Sequence, residues 1–397
     1  MSIITDSKKI NDLLTRSVEN IYPSRDFLES RLQSGQRLTI YLGVDPTGPT
    51  LHLGHAITLM KLKQFQELGH RVILLIGSFT AMIGDPTDKS STRQPLTREQ
   101  VLENCQKYEA QAKTFLNFSG DNPAEMRFNS EWLDKLTFKE VVELASHFTV
   151  QQMLERDMFE KRLSEGKPIG LHEFLYPLMQ GYDSVAMDVD GEIGGNDQTF
   201  NMLAGRALVK DYNNKEKFVL TLKLLADTTG KKMGKSEGNM LTLEDSATDM
   251  FGKVMSWTDG MILGAFELCT FVSNDEIKQL KERFESGENP RNLKVELARA
   301  IVSVYYGAAA GEAAEADFVQ KFQKKEIPDD IVELKPTSNN IIDVLLEAGF
   351  ATSKGDARRA LEQNGVKVNQ AVLTDLAYSV APGDIVQKGK RFFVKII

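Results

Sequence analysis

The stretch from Thr39 to Ile76 constrains the fold more than any other. Thr39-Ile40-Tyr41-Leu42-Gly43-Val44 reads as one buried strand. Asp45-Pro46-Thr47-Gly48-Pro49-Thr50 follows as a loop, because its prolines and glycine resist regular structure. Apolar residues then recur at helical spacing from about Leu51 to Leu68, and Gly69 supplies the stop. Val72-Ile73-Leu74-Leu75-Ile76 is a continuous apolar strand of the kind that parallel sheets bury on both faces. Strand, helix, strand makes a βαβ unit, whose crossover is right-handed. Residues 1 to about 240 are therefore expected to form a doubly wound, Rossmann-like α/β domain on a parallel sheet. A helix-rich insertion is expected from about 115 to 190, where FKEVVELASHF and FLYPLMQGYDSVAM occur.

The remainder divides by pattern. Residues 241–325 read as an all-α domain, as in VELARAIVSVYY. The charged text from Lys324 to Asn339, with Pro328 and Pro336, reads as a linker centred on 326–337. Residues 338–397 read as a small α+β module. Ile341, Ile342, Leu345 and Leu346 give one helical face, and Ser353 to Asp356 resembles a capping box. Asn364-Gly365 is a turn signal before Val366 and Val368.

A chain of 397 residues suffices for two or three domains. No apolar run reaches the ~18 residues of a membrane span. The N-terminal text reads as a polar helix and not a signal peptide, and two distant cysteines, Cys105 and Cys269, suit a reducing cytoplasm. The net charge of −8 argues against RNA, but the charge is uneven: from Ser338 onward there are eight Lys/Arg and six Asp/Glu, leaving −10 on the preceding 337 residues. A locally basic tail can still bind phosphate, since attraction is screened beyond about 8 Å.

Chemistry-bearing residues cluster in short motifs. His52-Leu53-Gly54-His55 places two imidazoles three apart at a helix start, where free N–H groups and the dipole favour phosphate. Such histidines also serve as ordinary core or surface residues, and no third ligand nearby supports zinc. Lys232-Met233-Gly234-Lys235-Ser236 puts two ammonium groups within reach of a triphosphate, or is simply a solvated basic loop. Gly194-Gly195-Asn196-Asp197-Gln198 lets backbone approach a ligand, with Asp197 suited to ribose hydroxyls. Thr80 to Pro86 sets Asp85 after an apolar strand, where open α/β sheets bind ligands. Tyr176, Gln180 and Asp183, at i, i+4 and i+7, share one helical face, which is either solvated or turned to a polar ligand.

In this order the motifs resemble the two signatures of class I aminoacyl-tRNA synthetases. YLGVDPTGPTLHLGH, TAMIGDPT, YPLMQGYD, EIGGNDQ and KKMGKS resemble those of bacterial tyrosyl-tRNA synthetases, and AGFATSKGDARRALEQNGVKVN resembles their S-four RNA-binding tail. The resemblance implies that Tyr41 and Asp183 bind the phenolic hydroxyl of L-tyrosine. Asp85, Tyr176 and Gln180 would hold its ammonium group, with Thr80 nearby and Gln198 by its carboxylate. Asp45, Thr47, His52, Gly54, His55, Gly195 and Asp197 would bind ATP. Lys89 and Arg93 would contact phosphates, and Lys232, Lys235 and Ser236 would serve the second signature. Gly234, Glu192 and Thr199 depart from the family's usual Ser, Gln and Trp.

The implied reaction is tyrosine–tRNA ligation. The tyrosine carboxylate attacks the ATP α-phosphate, and the terminal adenosine of tRNA(Tyr) then takes the tyrosyl group. Mg2+ would accompany ATP without a protein cage, and a homodimer built through the insertion is implied. The rivals are a tryptophanyl enzyme, a nucleotidyltransferase without tRNA, and a non-catalytic RNA-binding protein on the same scaffold. A dehydrogenase is disfavoured because no GxGxxG follows the first strand.

Overall fold

The computed structural model describes residues 2–87, 96–226, 240–323, 331–389 and 392–397. By contacts the chain forms two units, Met1–Phe318 and Val319–Ile397.

Among the described residues the first unit is built on six strands: β1 (Val18–Tyr22), β2 (Thr39–Val44), β3 (Arg71–Ile76), β4 (Glu125–Phe128), β5 (Gly191–Gly195) and β6 (Phe218–Leu222). Their order is β1-β6-β5-β2-β3-β4. Every neighbouring pair is parallel except β1 with β6, so the expected parallel sheet carries one antiparallel edge, a common variation on such sheets. The helix Leu53–Glu67 crosses from β2 to β3 and buries Ala56, Leu59, Leu62 and Phe65. Phe65 lies near-parallel to Phe218 with ring centroids 5.9 Å apart. Each fully buried Leu or Phe contributes about 2 kcal/mol. Gly69, at φ 93°, takes the left-handed turn that follows the helix.

The strand order places the site. From β2 the chain steps outward to β3 and β4, then returns to the other side of β2 for β5 and β6. The crevice therefore opens at the carboxyl ends of β2 and β5, the topological switch point. β2 pairs with β3 along its whole length from Thr39↔Arg71 to Val44↔Ile76. With β5 it pairs only at Ile40↔Gly191 and Tyr41↔Glu192, so the two strands part beyond Tyr41.

Between β4 and β5 run the helices Ser130–Leu133, Phe138–Ser146, Val150–Leu154, Asp157–Ser164 and Leu171–Ala186. A buried ion pair, Arg162 Nη1 to Glu173 Oε2 at 2.5 Å, ties this lobe together. Helix Leu171–Ala186 packs on Thr199–Asn213 through glycines: a Cβ at Gly181 would sit 3.1 Å from the Gly205 nitrogen. After β6, helices Ala247–Met255, Ile262–Cys269, Asn274–Glu285, Pro290–Tyr306 and Ala308–Gln323 follow. Leu293, Leu297, Ile301 and Val302 join the same core as the sheet.

Among the described residues the second unit has five strands, β7 (Val332–Leu334), β8 (Val366–Val368), β9 (Ala371–Val372), β10 (Ile385–Lys388) and β11 (Phe392–Ile396), in the order β7-β11-β10-β8-β9. Within the stretch read as linker, Val332–Leu334 thus form an edge strand parallel to β11. Three residues on an edge leave too short a pattern to read. Asn340 caps the helix Ile341–Glu347 by accepting from the Ile342 amide at 3.0 Å. Starting at Ile341, the i, i+3, i+4 positions are Val344 and Leu345, so Val344 is buried and Leu346 is only half-buried. Ser353 caps Lys354–Glu362 through the Asp356 amide at 3.2 Å, and Asn364 takes the turn at φ 56°.

Candidate active site

At the carboxyl ends of β2, β3 and β5 lies a cavity of about 380 Å³. The loop Asp45–Thr50 forms part of its wall and is pinned from behind. The Tyr108 hydroxyl donates to Gly48 O at 2.6 Å, Asn104 Nδ2 to Pro46 O at 2.9 Å, and the Leu51 amide to Gln111 Oε1 at 2.7 Å. Thr47 lines the cavity, its amide bonded to Asp45 O at 2.8 Å.

His52 is the N-cap of helix Leu53–Glu67. The Gly54 amide donates to His52 Nδ1 at 3.1 Å, and the His52 amide donates to His55 Nδ1 at 3.1 Å. Both Nδ1 atoms accept, so each neutral ring carries its proton on Nε2, the form that donates to an anion. The two rings lie with centroids 3.9 Å apart and planes tilted by 33°, and His52, Gly54 and His55 all line the cavity. Leu53 N donates to Leu241 O and Leu243 N to Leu51 O, both at 2.9 Å, which lays the segment after the second motif along the first. Leu225 and Met240, on either side of that motif, line the cavity. Lys89, Arg93, Lys232, Lys235 and Ser236 themselves lie outside the described residues.

The opposite end of the cavity is saturated with hydrogen bonds. Asp45 Oδ1 accepts from Thr80 Oγ1 at 2.7 Å, and Oδ2 from the Tyr176 hydroxyl at 2.8 Å. Asp45, expected on the ATP side, is thus held by two residues expected around the ammonium group. Gly77 makes this possible, since a Cβ there would fall 1.9 Å from Asp45 Oδ1. Gln198 Nε2 donates to Asp85 Oδ2 at 2.9 Å, and Thr87 closes on the other Asp85 oxygen at 2.7 Å. Gly195 and Asp197 line the cavity beside them.

Asp183 is 2 % exposed. Its oxygens accept from Trp132 Nε1 at 2.7 Å and Asn129 Nδ2 at 3.2 Å. Burial nevertheless pushes its carboxyl well above the ordinary aspartate range, opposed by these two donors and aided by Glu192 and Asp45. Burial likewise pushes the Tyr41 and Tyr176 hydroxyls well up, so both stay protonated donors. The face carrying Tyr176, Gln180 and Asp183 is therefore turned to the cavity and not to solvent.

All the candidates among the described residues meet in this one cavity. Trp132, Asn129, Ser184, Glu192 and Lys217 stand behind these residues, outside the sequence-predicted site. Lys217 and Glu192 form a fully buried ion pair, and Gln180 Nε2 donates to Glu192 Oε1 at 3.0 Å. Only the Glu192 departure from the family pattern hinted at them. Trp132 and Lys217 stand far in sequence from what they touch, and no short motif contains them.

The chain matches the family model described as tRNA synthetases class I (W and Y) over residues 33–323, and the S4 domain over 341–386. It is 44% identical over 412 residues to the tyrosine–tRNA ligase of Carboxydothermus hydrogenoformans, with 99% of each chain covered. It is 42% identical over 396 residues to that of Haemophilus influenzae, with 99% and 98% covered. In structure it resembles a truncated mitochondrial tyrosyl-tRNA synthetase of Coccidioides posadasii, with TM-score 0.64, 26% identity, and 79% of this chain and 92% of that one covered. The tyrosyl-tRNA synthetase of Archaeoglobus fulgidus, solved with L-tyrosine, has the same fold at TM-score 0.60 and 20% identity, with 78% and 99% covered. A switch-point cavity with a histidine-capped helix at one end, matched along the whole chain by these relatives, puts the protein in the class I aminoacyl-tRNA synthetases, in the tyrosyl-tRNA synthetase family.

Proposed function

We propose that this cavity activates L-tyrosine with ATP and that the enzyme then esterifies tRNA(Tyr). The observation that carries the reading is one cavity lined both by the buried polar pair Tyr41 and Asp183 and by a helix N-terminus with two imidazoles. Tyr41 donates to the substrate's phenolic oxygen and Asp183 accepts its proton. Asp85, Tyr176, Gln180 and Thr80 surround the ammonium group, and Gln198 lies by the carboxylate. That carboxylate is ionised at neutral pH, so no general base is needed for its in-line attack on the α-phosphate. His52, His55 and the helix N-terminus, with Asp45, Thr47, Gly54, Gly195 and Asp197, position ATP and stabilise charge on its phosphates. Lys89, Arg93, Lys232, Lys235 and Ser236 bring cations and a hydroxyl to the leaving pyrophosphate. Mg2+ would accompany ATP and would offset charge on its phosphates.

Residues 1–240 are the catalytic domain with its insertion, 241–325 the helical domain that reads the anticodon, and 338–397 the RNA-binding tail. A second copy covers the insertion, where Phe138 and Leu171 are 85% and 78% exposed and Val142, Val150 and Leu163 are exposed beside them. No described helix is long and apolar enough to cross a membrane, and two buried free thiols suit the cytoplasm. The test is ATP–pyrophosphate exchange with each of the twenty amino acids. Exchange with tyrosine alone supports the reading, exchange with tryptophan reassigns Tyr41 and Asp183, and no exchange in folded protein overturns it.

A further inference from the structure

Beneath the phenol end of the cavity lie three polar side chains that the substrate contacts above do not use. Lys217, Glu192 and Ser184 are 0%, 1% and 0% exposed. The register of β2 against β5 sets Glu192 beside Tyr41, and Lys217 immediately precedes β6 on the far side of β5. The Lys217 ammonium pairs with Glu192 Oε2. It donates to Ser184 Oγ at 2.7 Å, has a longer contact to Met202 O at 3.4 Å, and sits 5.6 Å from the Tyr41 ring centroid. Ser184 Oγ is 2.9 Å from the Tyr41 hydroxyl. Glu192 Oε1 accepts from Gln180.

Proton accounting fixes the directions of these bonds. An ammonium group only donates, whereas a serine hydroxyl has one proton to give and lone pairs to accept. Among the described residues the Ser184 hydroxyl meets Lys217 and Tyr41. Lys217 cannot accept, and a buried donor left unpaired is costly, so Ser184 donates to the Tyr41 oxygen. The Tyr41 proton is then left for another acceptor. Beyond burial, Glu192 raises the Tyr41 pKa by its charge and by a side-chain hydrogen bond, so it competes for that proton. Lys217 and Gln180 each take one acceptor site on its two oxygens, and the lysine charge weakens its pull on the Tyr41 proton.

We propose that Lys217 is a positioning residue for substrate selection: it fixes Ser184 as donor to Tyr41 and neutralises Glu192, so that the Tyr41 proton is kept for the substrate's phenolic oxygen. The inference rests on the reading of Tyr41 and Asp183 as the phenol-binding pair. It makes discrimination between tyrosine and phenylalanine depend on a cation that never touches either.

The test is ATP–pyrophosphate exchange with tyrosine and with phenylalanine, with thermal melting of each protein as the check on folding. Lys217→Met alone strands the Glu192 charge in the core and is expected to melt early. Lys217→Met/Glu192→Gln removes both charges and keeps an amide oxygen for Gln180, so it should melt near the parent. In it, tyrosine kcat/KM should fall about tenfold, mainly through KM, while phenylalanine barely changes. The tyrosine-to-phenylalanine ratio then narrows about tenfold, with the KM for ATP unmoved. Ser184→Ala should narrow the ratio similarly, and it decides the matter if the double variant does not fold. A parental ratio in folded protein, or an equal fall for both amino acids, overturns the proposal. Asp183→Ala separates the two readings. Normal tyrosine exchange in that variant removes the phenol-pair assignment itself. Lost exchange there with a parental ratio in the other variants removes only the role of Lys217.

Discussion

The two ends of the cavity are built on opposite principles. At the end proposed to take the phenol, Asp183, Tyr41, Asn129, Ser184, Glu192 and Lys217 are all buried, and each is bonded to another. At the end proposed to take the nucleotide stand a helix N-terminus and two imidazoles whose Nδ1 atoms accept from backbone amides. The walls there come from segments that flank the second motif. A side chain is told from its near relatives by a preorganised polar site, because a missing partner leaves buried groups unpaired. A phosphate chain needs charge stabilisation and an exit, so its site is assembled from backbone and loops.

The largest effect should come from the nucleotide end. His52→Ala or His55→Ala removes a donor used as charge develops, so kcat for exchange should fall on the order of a hundred- to a thousandfold. The KM for tyrosine should stay near parental. A tyrosine KM that moves as much as kcat would erase the distinction between the ends.

Asp183→Ala should reduce tyrosine kcat/KM on the order of a hundredfold while ATP binding, measured by equilibrium dialysis, persists. Asp183→Asn sharpens the point through linkage. Because burial raises its folded pKa above the unfolded value, the folded state holds the proton more tightly. Its contribution to stability is present at low pH and is lost as pH rises through the folded pKa. At neutral pH Asp183→Asn should therefore melt higher than the parent while activating tyrosine poorly. The parent's tyrosine kcat/KM should fall on acidification well above the ordinary aspartate range. A neutral-pH melting point that falls in Asp183→Asn counts against the burial argument.

Gly77→Ala probes the junction of the two ends. Its Cβ would displace Asp45 from Thr80 and Tyr176, at a cost of about 1–3 kcal/mol in stability by denaturant melting. The KM values for both substrates should rise, and a rise for ATP alone would place Asp45 wholly at the nucleotide end. Smallest of all, removing residues 332–397 should leave tyrosine-dependent exchange unchanged and weaken only tRNA charging, because the first unit has its own core. Loss of exchange on truncation would show that the cavity depends on the tail.

Much of the frame was legible in the sequence. Strand Thr39–Val44, helix Leu53–Glu67 and strand Arg71–Ile76 fall where alternating breakers and apolar runs put them, because these signals are local. The antiparallel edge strand Val18–Tyr22 escaped, since its pairing with β6 spans some two hundred residues. Edge strand Val332–Leu334 is only three residues long and sits in charged text. The motif residues were readable because backbone geometry at a helix start or a strand end demands particular types in fixed order. What holds them was not readable.

By itself the sequence determined the βαβ unit, the histidine pair at a helix N-terminus, the Tyr176–Asp183 face and the separate tail, all set by spacings of a few residues. The tertiary structure alone decided which residues stand behind them: Trp132 and Asn129 on Asp183, Gly77 beneath Asp45, and Lys217 against Glu192 and Ser184. The reason is physical. A buried charge or hydroxyl is satisfied by whatever donor the packing brings within 3 Å or so, and the strand order of a doubly wound sheet brings that donor from anywhere in the chain.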